Sequence, residues 1–357
     1  MRQPRILLHR RGENIPEGTF VSERDGYYHC VSRAIERRFI FGDEEKSYFY
    51  ALMRRLERFT GVEIVTYCLM SNHFHLLLRI PAPGRLPLLS LSDLERELKA
   101  LHCVKPGETS TALQEIERAK ASESLTWERE LLARYEARRG DLSSFMKELK
   151  QRFSLWYNQR AGRRGPLWED RFKSVLVEGS DEALMTVAAY IDLNPVRAGL
   201  AEDPKDYRWC GYAESVAGGS LARKGLCRLL DQTSYGIGRR VNWRGVSRRY
   251  RCLLFEHGAK CKYEAGDTRK KRCGIDRERV EEVIKRGGKL SLTEVLRCRV
   301  RYFCDGAVLG SSSFVNELCE INQTRYKSKR KMQAQKMCGA DWGNLRSLRA
   351  FRKKAFT

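Results

Sequence analysis

Apolar residues change spacing several times along the first half of the chain, and each change marks an element. Tyr27–Ile35 (YYHCVSRAI) is rich in aromatic and β-branched residues and predicts a strand. From Glu44 to Phe59 the apolar positions Phe49, Leu52, Met53, Leu56 and Phe59 follow helical spacing, with Gly42-Asp43 offering a start and Gly61 a stop. Val62–Leu69 and His73–Ile80 return to strand character on either side of the turn Met70-Ser71-Asn72, where Ser and Asn side chains can bond to nearby backbone. Pro81, Pro83 and Pro87 then break the pattern. Residues 88–140 are charged and helix-prone (LSDLERELKALHC, LTWERELLARYEARRG) and read as a helical insertion. Asp141-Leu142-Ser143 caps a helix over 144–161 with Phe145, Leu149, Phe153 and Trp156 on one face. Leu167–Glu178 predicts a further strand, and Ser180-Asp181 caps a helix over Glu182–Leu193. That helix stops at Asn194-Pro195, because the residue before a proline is pushed out of the α region.

The order βαββαβ is the ferredoxin-like arrangement, and the hairpin at 62–80 requires antiparallel pairing. The fold class expected is therefore α+β: an antiparallel ferredoxin-like sheet with helices on one face, the helical insertion, and a mainly helical C-terminal region. In that region Val241–Gly258 (VNWRGVSRRYRCLLFEHG), Ile275–Lys285 and Ser291–Phe303 predict helices, and Val308 begins another that runs to about Glu320. Short helices joined by Gly-containing turns in a basic setting are compatible with a helix-turn-helix as well as with plain helical packing. The expected divisions are a basic arm over 1–25, a main domain over 26–215, a helical and possibly DNA-binding domain over 240–322, and a basic tail over 323–357.

Charge narrows the partner. Lys plus Arg number 68 against 45 Asp plus Glu, a formal net charge of +23 over 357 residues. The surplus is clustered, at 160–164, 239–251, 269–272 and 326–336, which favours a polyanion such as nucleic acid over a merely basic surface. The 12 cysteines show no C-x-x-C spacing and suit reduced, packed thiols. No run approaches the length of a membrane span, no leader is evident, and a cytoplasmic, nucleoid-associated protein is expected.

Two histidines change the picture further. In a strand, His73 and His75 point to one face and Phe74 to the other. Neutral imidazoles are common metal ligands, and core histidines are the plainer alternative. Downstream, Tyr190 and Asn194 are four apart and share a helix side, which a buried tyrosine and a helix-end amide would also explain.

Taken together, NHFHLLL, GPLWEDRFKS and YIDLNPVRAGL resemble the Y1 transposases of the IS200/IS605 type, and more closely the REP-associated tyrosine transposases, within the HUH endonucleases. The resemblance covers roughly 20–215, interrupted by the insertion. It implies a nucleophilic Tyr190 and a divalent metal, Mg²⁺ or Mn²⁺, held by His73, His75 and Asn194. It implies a single-strand DNA endonuclease and strand transferase that passes through a 5′-phosphotyrosine, with single-stranded or hairpin DNA as partner. Its relatives are monomers or homodimers. Arg163, Arg164, Arg171, Lys173 and Arg197 surround the motifs and are expected to contact phosphates, and Trp168 and Phe172 could stack on unpaired bases or be structural. The rivals are a non-cutting relative that holds hairpin DNA or RNA, and an RNA-binding module on the same fold.

Overall fold

The structure is a computed structural model and describes residues 6–8, 23–102, 110–122, 124–230, 242–255, 295–326 and 332–351. The fold is α+β. Strands β1 (Gly26–Arg33), β2 (Glu63–Leu69), β3 (His73–Ile80) and β4 (Lys173–Val177) form an antiparallel sheet in the order β2-β3-β1-β4. That is the ferredoxin-like order, with β1 in the middle because the β2–β3 hairpin folds back along one of its edges.

Helices α1 (Asp43–Thr60) and α5 (Leu142–Arg160) cover one face of this sheet. Gly61 ends α1 in the left-handed region at φ 68°, donating its N–H to the Glu57 carbonyl, and a side chain there would also collide with Leu86. Phe49, Phe74 and Phe153 meet in this layer with no exposure, Phe49 and Phe74 having ring centroids 4.7 Å apart. Removing a ring so packed costs about 3–5 kcal/mol. The insertion supplies α2 (Leu91–His102), α3 (Thr111–Ala121) and α4 (Leu125–Glu136), whose apolar stripes join the same core.

The two helices of the ferredoxin-like unit share one face as expected, and a further helical layer covers the other. The strands are apolar on both sides, as the adjacent Leu76, Leu77 and Leu78 show, so a single covering layer would leave one side wet. The second layer is α6 (Asp181–Asp192), continued by α7 (Asn194–Arg197). Nearly every residue of α6 is buried, as a helix that is apolar all round must be. Its end is pinned by the buried Asp192 carboxylate, which accepts from Thr66 Oγ1 at 3.0 Å, the Tyr250 hydroxyl at 2.6 Å and the Tyr212 N–H at 3.2 Å. Tyr250 belongs to α10 (Trp243–Phe255), which follows α8 (Gly211–Val216) and α9 (Ser220–Cys227).

Three expectations need correction. The predicted strand over 167–178 is regular only at Lys173–Val177; before it the chain makes one bridge, Trp168 to Ala34, because Trp168 must reach into the core between α5 and Phe74. Val308 starts a strand, not a helix: β5 (Val308–Gly310) pairs parallel with β4, and the helix begins only at Ser312. With β6 (Gln335–Lys336) and β7 (Arg346–Ser347) this makes a mixed sheet of seven strands, β2-β3-β1-β4-β5-β7-β6. The described part of the predicted helix over 291–303 is broken at Cys298–Val300 and resumes as α11 (Arg301–Asp305), with α12 (Ser312–Tyr326) after it. Most of the N-terminal arm, the helix expected at 275–285 and parts of the basic tail lie outside the described residues. Among the described residues no helix is long and apolar enough to cross a membrane.

Candidate active site

Strand alternation carries the two motif histidines to the sheet face beneath α6. In the β1–β3 ladder His73 stands opposite Arg33 and His75 opposite Val31, so His29, two residues back on β1, shares their face. The His73 and His75 ring centroids are 5.1 Å apart, and so are those of His29 and His75.

The turn before β3 orients His73. Asn72 donates its amide Nδ2 to the Arg37 carbonyl at 3.0 Å, which turns its Oδ1 toward His73 Nδ1 at 2.7 Å. That oxygen can only accept, so His73 carries its hydrogen on Nδ1 and keeps a lone pair on Nε2. All three rings are held neutral. Burial, aided by the positive charge of Arg197, lowers His29 to about 4; burial and the nearby Arg33 and Arg299 lower His73 to about 3; burial and the neighbouring histidines hold His75 well below its ordinary range.

Helix α6 brings Tyr190 onto this face. Its ring meets His29 and His75 edge-on, with centroids 6.0 and 6.2 Å away. Tyr190 is 2% exposed, covered by Phe303 at 4.8 Å between centroids and by Cys304, whose Sγ lies 3.7 Å from the phenol oxygen. Burial, then the Cys304 thiol, pushes the phenol well above its ordinary range. Asn194, one turn on, is also buried and points its Nδ2 back to the carbonyls of Ile191 at 3.0 Å and Tyr190 at 3.3 Å, which leaves its Oδ1 facing away from the helix end.

The donor set therefore fits a divalent metal in its chemistry: two neutral imidazoles, His73 with a bare Nε2, and an amide oxygen. Among the described residues no group of three or more His, Cys, Asp and Glu side chains is arranged to hold a metal, so the amide would have to complete the set.

The expected phosphate contacts divide. Arg164 and Arg171 are exposed on the segment between α5 and β4. Arg163 donates to the Pro166 carbonyl at 3.1 Å, and Lys173 pairs with Asp305 at 2.8 Å. Arg197 is turned inward, donating to the carbonyls of Leu296 and Tyr190. Trp168 and Phe172 take the structural alternative: Trp168 donates to Ser154 Oγ at 2.8 Å and packs against Phe74, while Phe172 is buried.

Sequence reasoning missed three cations and one aromatic. Burial, then the charges of Arg299 and Arg37, lowers the Arg33 guanidinium's affinity for protons, opposed by Glu169 and Cys304, and Arg33 and Arg299 in turn lower His73. The loop after β1 is tied to the His73 turn by Ala34 N–H to Asn72 O at 2.9 Å and Phe41 N–H to Ser71 O at 3.0 Å, and it presents Phe39 with 82% exposure. Knowing the β1–β3 register would have put Arg33 beside His73; nothing in the sequence pointed to Arg299.

Residues 22–102 match the family model described as "Transposase IS200 like". No curated protein matches the sequence. Among solved structures the chain is similar to a REP-associated tyrosine transposase bound to a REP hairpin, at 16% identity and a TM-score of 0.34, over 60% of this chain and 92% of that one. Similarity at that level says nothing of activity. The family match spans β1, α1, β2, β3 and α2, and so includes His29, His73 and His75 but ends well before Tyr190. The similarity to the IS200-like transposase family is thus confined to residues 22–102, under a quarter of the chain.

Proposed function

We propose that the protein is a metal-dependent, single-strand DNA endonuclease and strand transferase that acts on REP-like DNA hairpins, with Tyr190 as its nucleophile. One observation carries this reading: the buried phenol of Tyr190 packs edge-on against two neutral histidines of the matched segment. His73 and His75 would offer Nε2 atoms to a divalent Mg²⁺ or Mn²⁺, with Asn194 Oδ1 as third ligand. When bound, the ion supplies Lewis-acid polarisation of the scissile phosphate.

The protein's own part is nucleophilic attack. The Tyr190 oxygen forms a bond to phosphorus, the bond from phosphorus to the 3′ oxygen breaks, and the phenol proton ends on the released 3′-hydroxyl. The phosphotyrosine keeps a phosphodiester-like bond for rejoining, so no nucleotide cofactor is needed. Arg197, over the Tyr190 ring, would stabilise negative charge on the phenol oxygen as the proton leaves. Arg33 and Arg299 beside His73, with Arg37 near Arg33, suit a phosphate, and the exposed Arg164, Arg171 and Phe39 suit the flanking strand. Arg163 and Lys173 would join them by exchanging their present partners.

Cutting requires Phe303 and Cys304 to move off Tyr190. Their present position favours a second reading, a hairpin-binding relative that does not cut. Incubation with single-stranded hairpin oligonucleotides and Mn²⁺ separates the two: a covalent protein–DNA band supports the nuclease, and binding without a band supports the second reading.

A further inference from the structure

Strand β1 carries a third histidine on the site face, and the chemistry just described gives it no task. His29 is 1% exposed, with Nδ1 2.7 Å from the Phe303 carbonyl oxygen and Nε2 2.9 Å from His75 Nδ1. The two imidazole planes lie within 19° of parallel, which suits a bond made in the plane of the rings.

These contacts determine where the hydrogens are. A carbonyl oxygen can only accept, so His29 Nδ1 carries a hydrogen. In the neutral ring the other nitrogen then holds a lone pair, so His29 Nε2 accepts and His75 Nδ1 donates. His75 is thereby left with a bare Nε2. With the opposite tautomer of His75, two lone pairs would face each other across 2.9 Å in a buried layer, and a hydrogen bond would be lost on both sides.

We infer that His29 is a positioning residue: anchored by the Phe303 carbonyl, it holds His75 in its Nδ1–H form and so presents the His75 Nε2 lone pair to a ligand. It does for His75 what Asn72 does for His73. The anchor comes from the C-terminal region, while the two histidines come from the strands of the matched segment. Such outer partners fix ring orientation and raise ligand basicity. The inference rests on the reading of His75 as a metal ligand, and its test separates the two.

The experiment uses the full-length, metal-free protein labelled with ¹⁵N-histidine, whose long-range ¹H–¹⁵N correlations report the tautomer of each ring. Wild-type His75 is expected as Nδ1–H. His29→Leu is expected to shift His75 toward the Nε2–H form and to weaken Mn²⁺ binding, measured without DNA, by about 10- to 100-fold. His29→Gln is expected to restore both, because its amide nitrogen can donate to Phe303 and its oxygen can accept from His75. A wild-type His75 found as Nε2–H, or a His29→Leu protein with unchanged tautomer and Mn²⁺ affinity, overturns the inference. If the wild type binds no Mn²⁺ while His75 is Nδ1–H, the metal reading falls and the positioning role stands. If His29→Leu does not fold, the wild-type and His29→Gln spectra still decide.

Discussion

Arg197 sits over Tyr190: its guanidinium carbon is 4.0 Å from the ring centroid, and its Nη2 donates to the Tyr190 carbonyl at 2.6 Å. A second donation, from Nη1, reaches the Leu296 carbonyl. The cation is thus spent on holding α6, Tyr190 and the C-terminal segment together. Arg197→Ala is expected to destabilise the protein by about 1.5–3 kcal/mol, the scale of charge-assisted hydrogen bonds, as read by chemical denaturation. Hairpin affinity should stay within about twofold. A marked fall in affinity with a salt slope shallower by about 0.7 would instead make Arg197 a phosphate contact.

The histidine pair should be needed for cutting and dispensable for binding. His73→Ala and His75→Ala are expected to remove cleavage while hairpin affinity, measured by fluorescence anisotropy, changes little. EDTA should reproduce them, and added Mg²⁺ or Mn²⁺ should restore the wild type alone. Asn194→Ala should be milder, since water can partly replace an amide oxygen. Cleavage that persists in EDTA removes the metal from the account.

Neutral buried histidines also set a pH dependence for the metal-free protein. His29 and His73 fall from 6.5 to about 4 and about 3 in the fold, and His75 falls as well, so the unfolded chain binds up to three more protons between about pH 4 and 6.5. Asp192 works the other way: burial raises it from 3.8 to about 7, so the folded chain holds one more proton over nearly the same window. Among these four groups the difference, three minus one, leaves the unfolded state ahead by about two protons, so together they make stability rise with pH there. The unfolding free energy from urea titrations should fall as the solution is acidified from about pH 6.5 to 4.5, by up to roughly 2–3 kcal/mol per pH unit. His29→Gln should reduce the slope and Asp192→Asn should steepen it. A flat profile would mean that these rings are not held neutral.

The local pattern was enough for β1 to β3 and α6, because alternation and helical spacing are properties of short segments. The spacing of the His73–His75 pair and of the Tyr190–Asn194 pair was legible for the same reason: the first lies on β3, and the second spans the four residues where α6 continues into α7. The contacts between elements were not. Arg33 beside His73 depends on the β1–β3 register, and Tyr190 against Phe303 and Cys304 depends on a segment more than a hundred residues away. Val308–Gly310 reads as the start of an apolar helix until β4 offers it an edge to pair with. Base stacking stayed open beside a structural role for Trp168 and Phe172 because the sequence does not say which side of a short, irregular strand meets the core.

The most direct test of the central claim is the mass of the DNA-linked peptide. Wild-type protein should be incubated with a single-stranded hairpin oligonucleotide and Mn²⁺, digested, and searched for a nucleotide-modified residue. The expected result is a 5′-phosphate linked to Tyr190, no adduct with Tyr190→Phe, and near-normal stability of that variant, because among the described residues the hydroxyl meets only the Cys304 thiol, at 3.7 Å. An adduct on Tyr157 or Tyr207, or one that survives Tyr190→Phe, would contradict it.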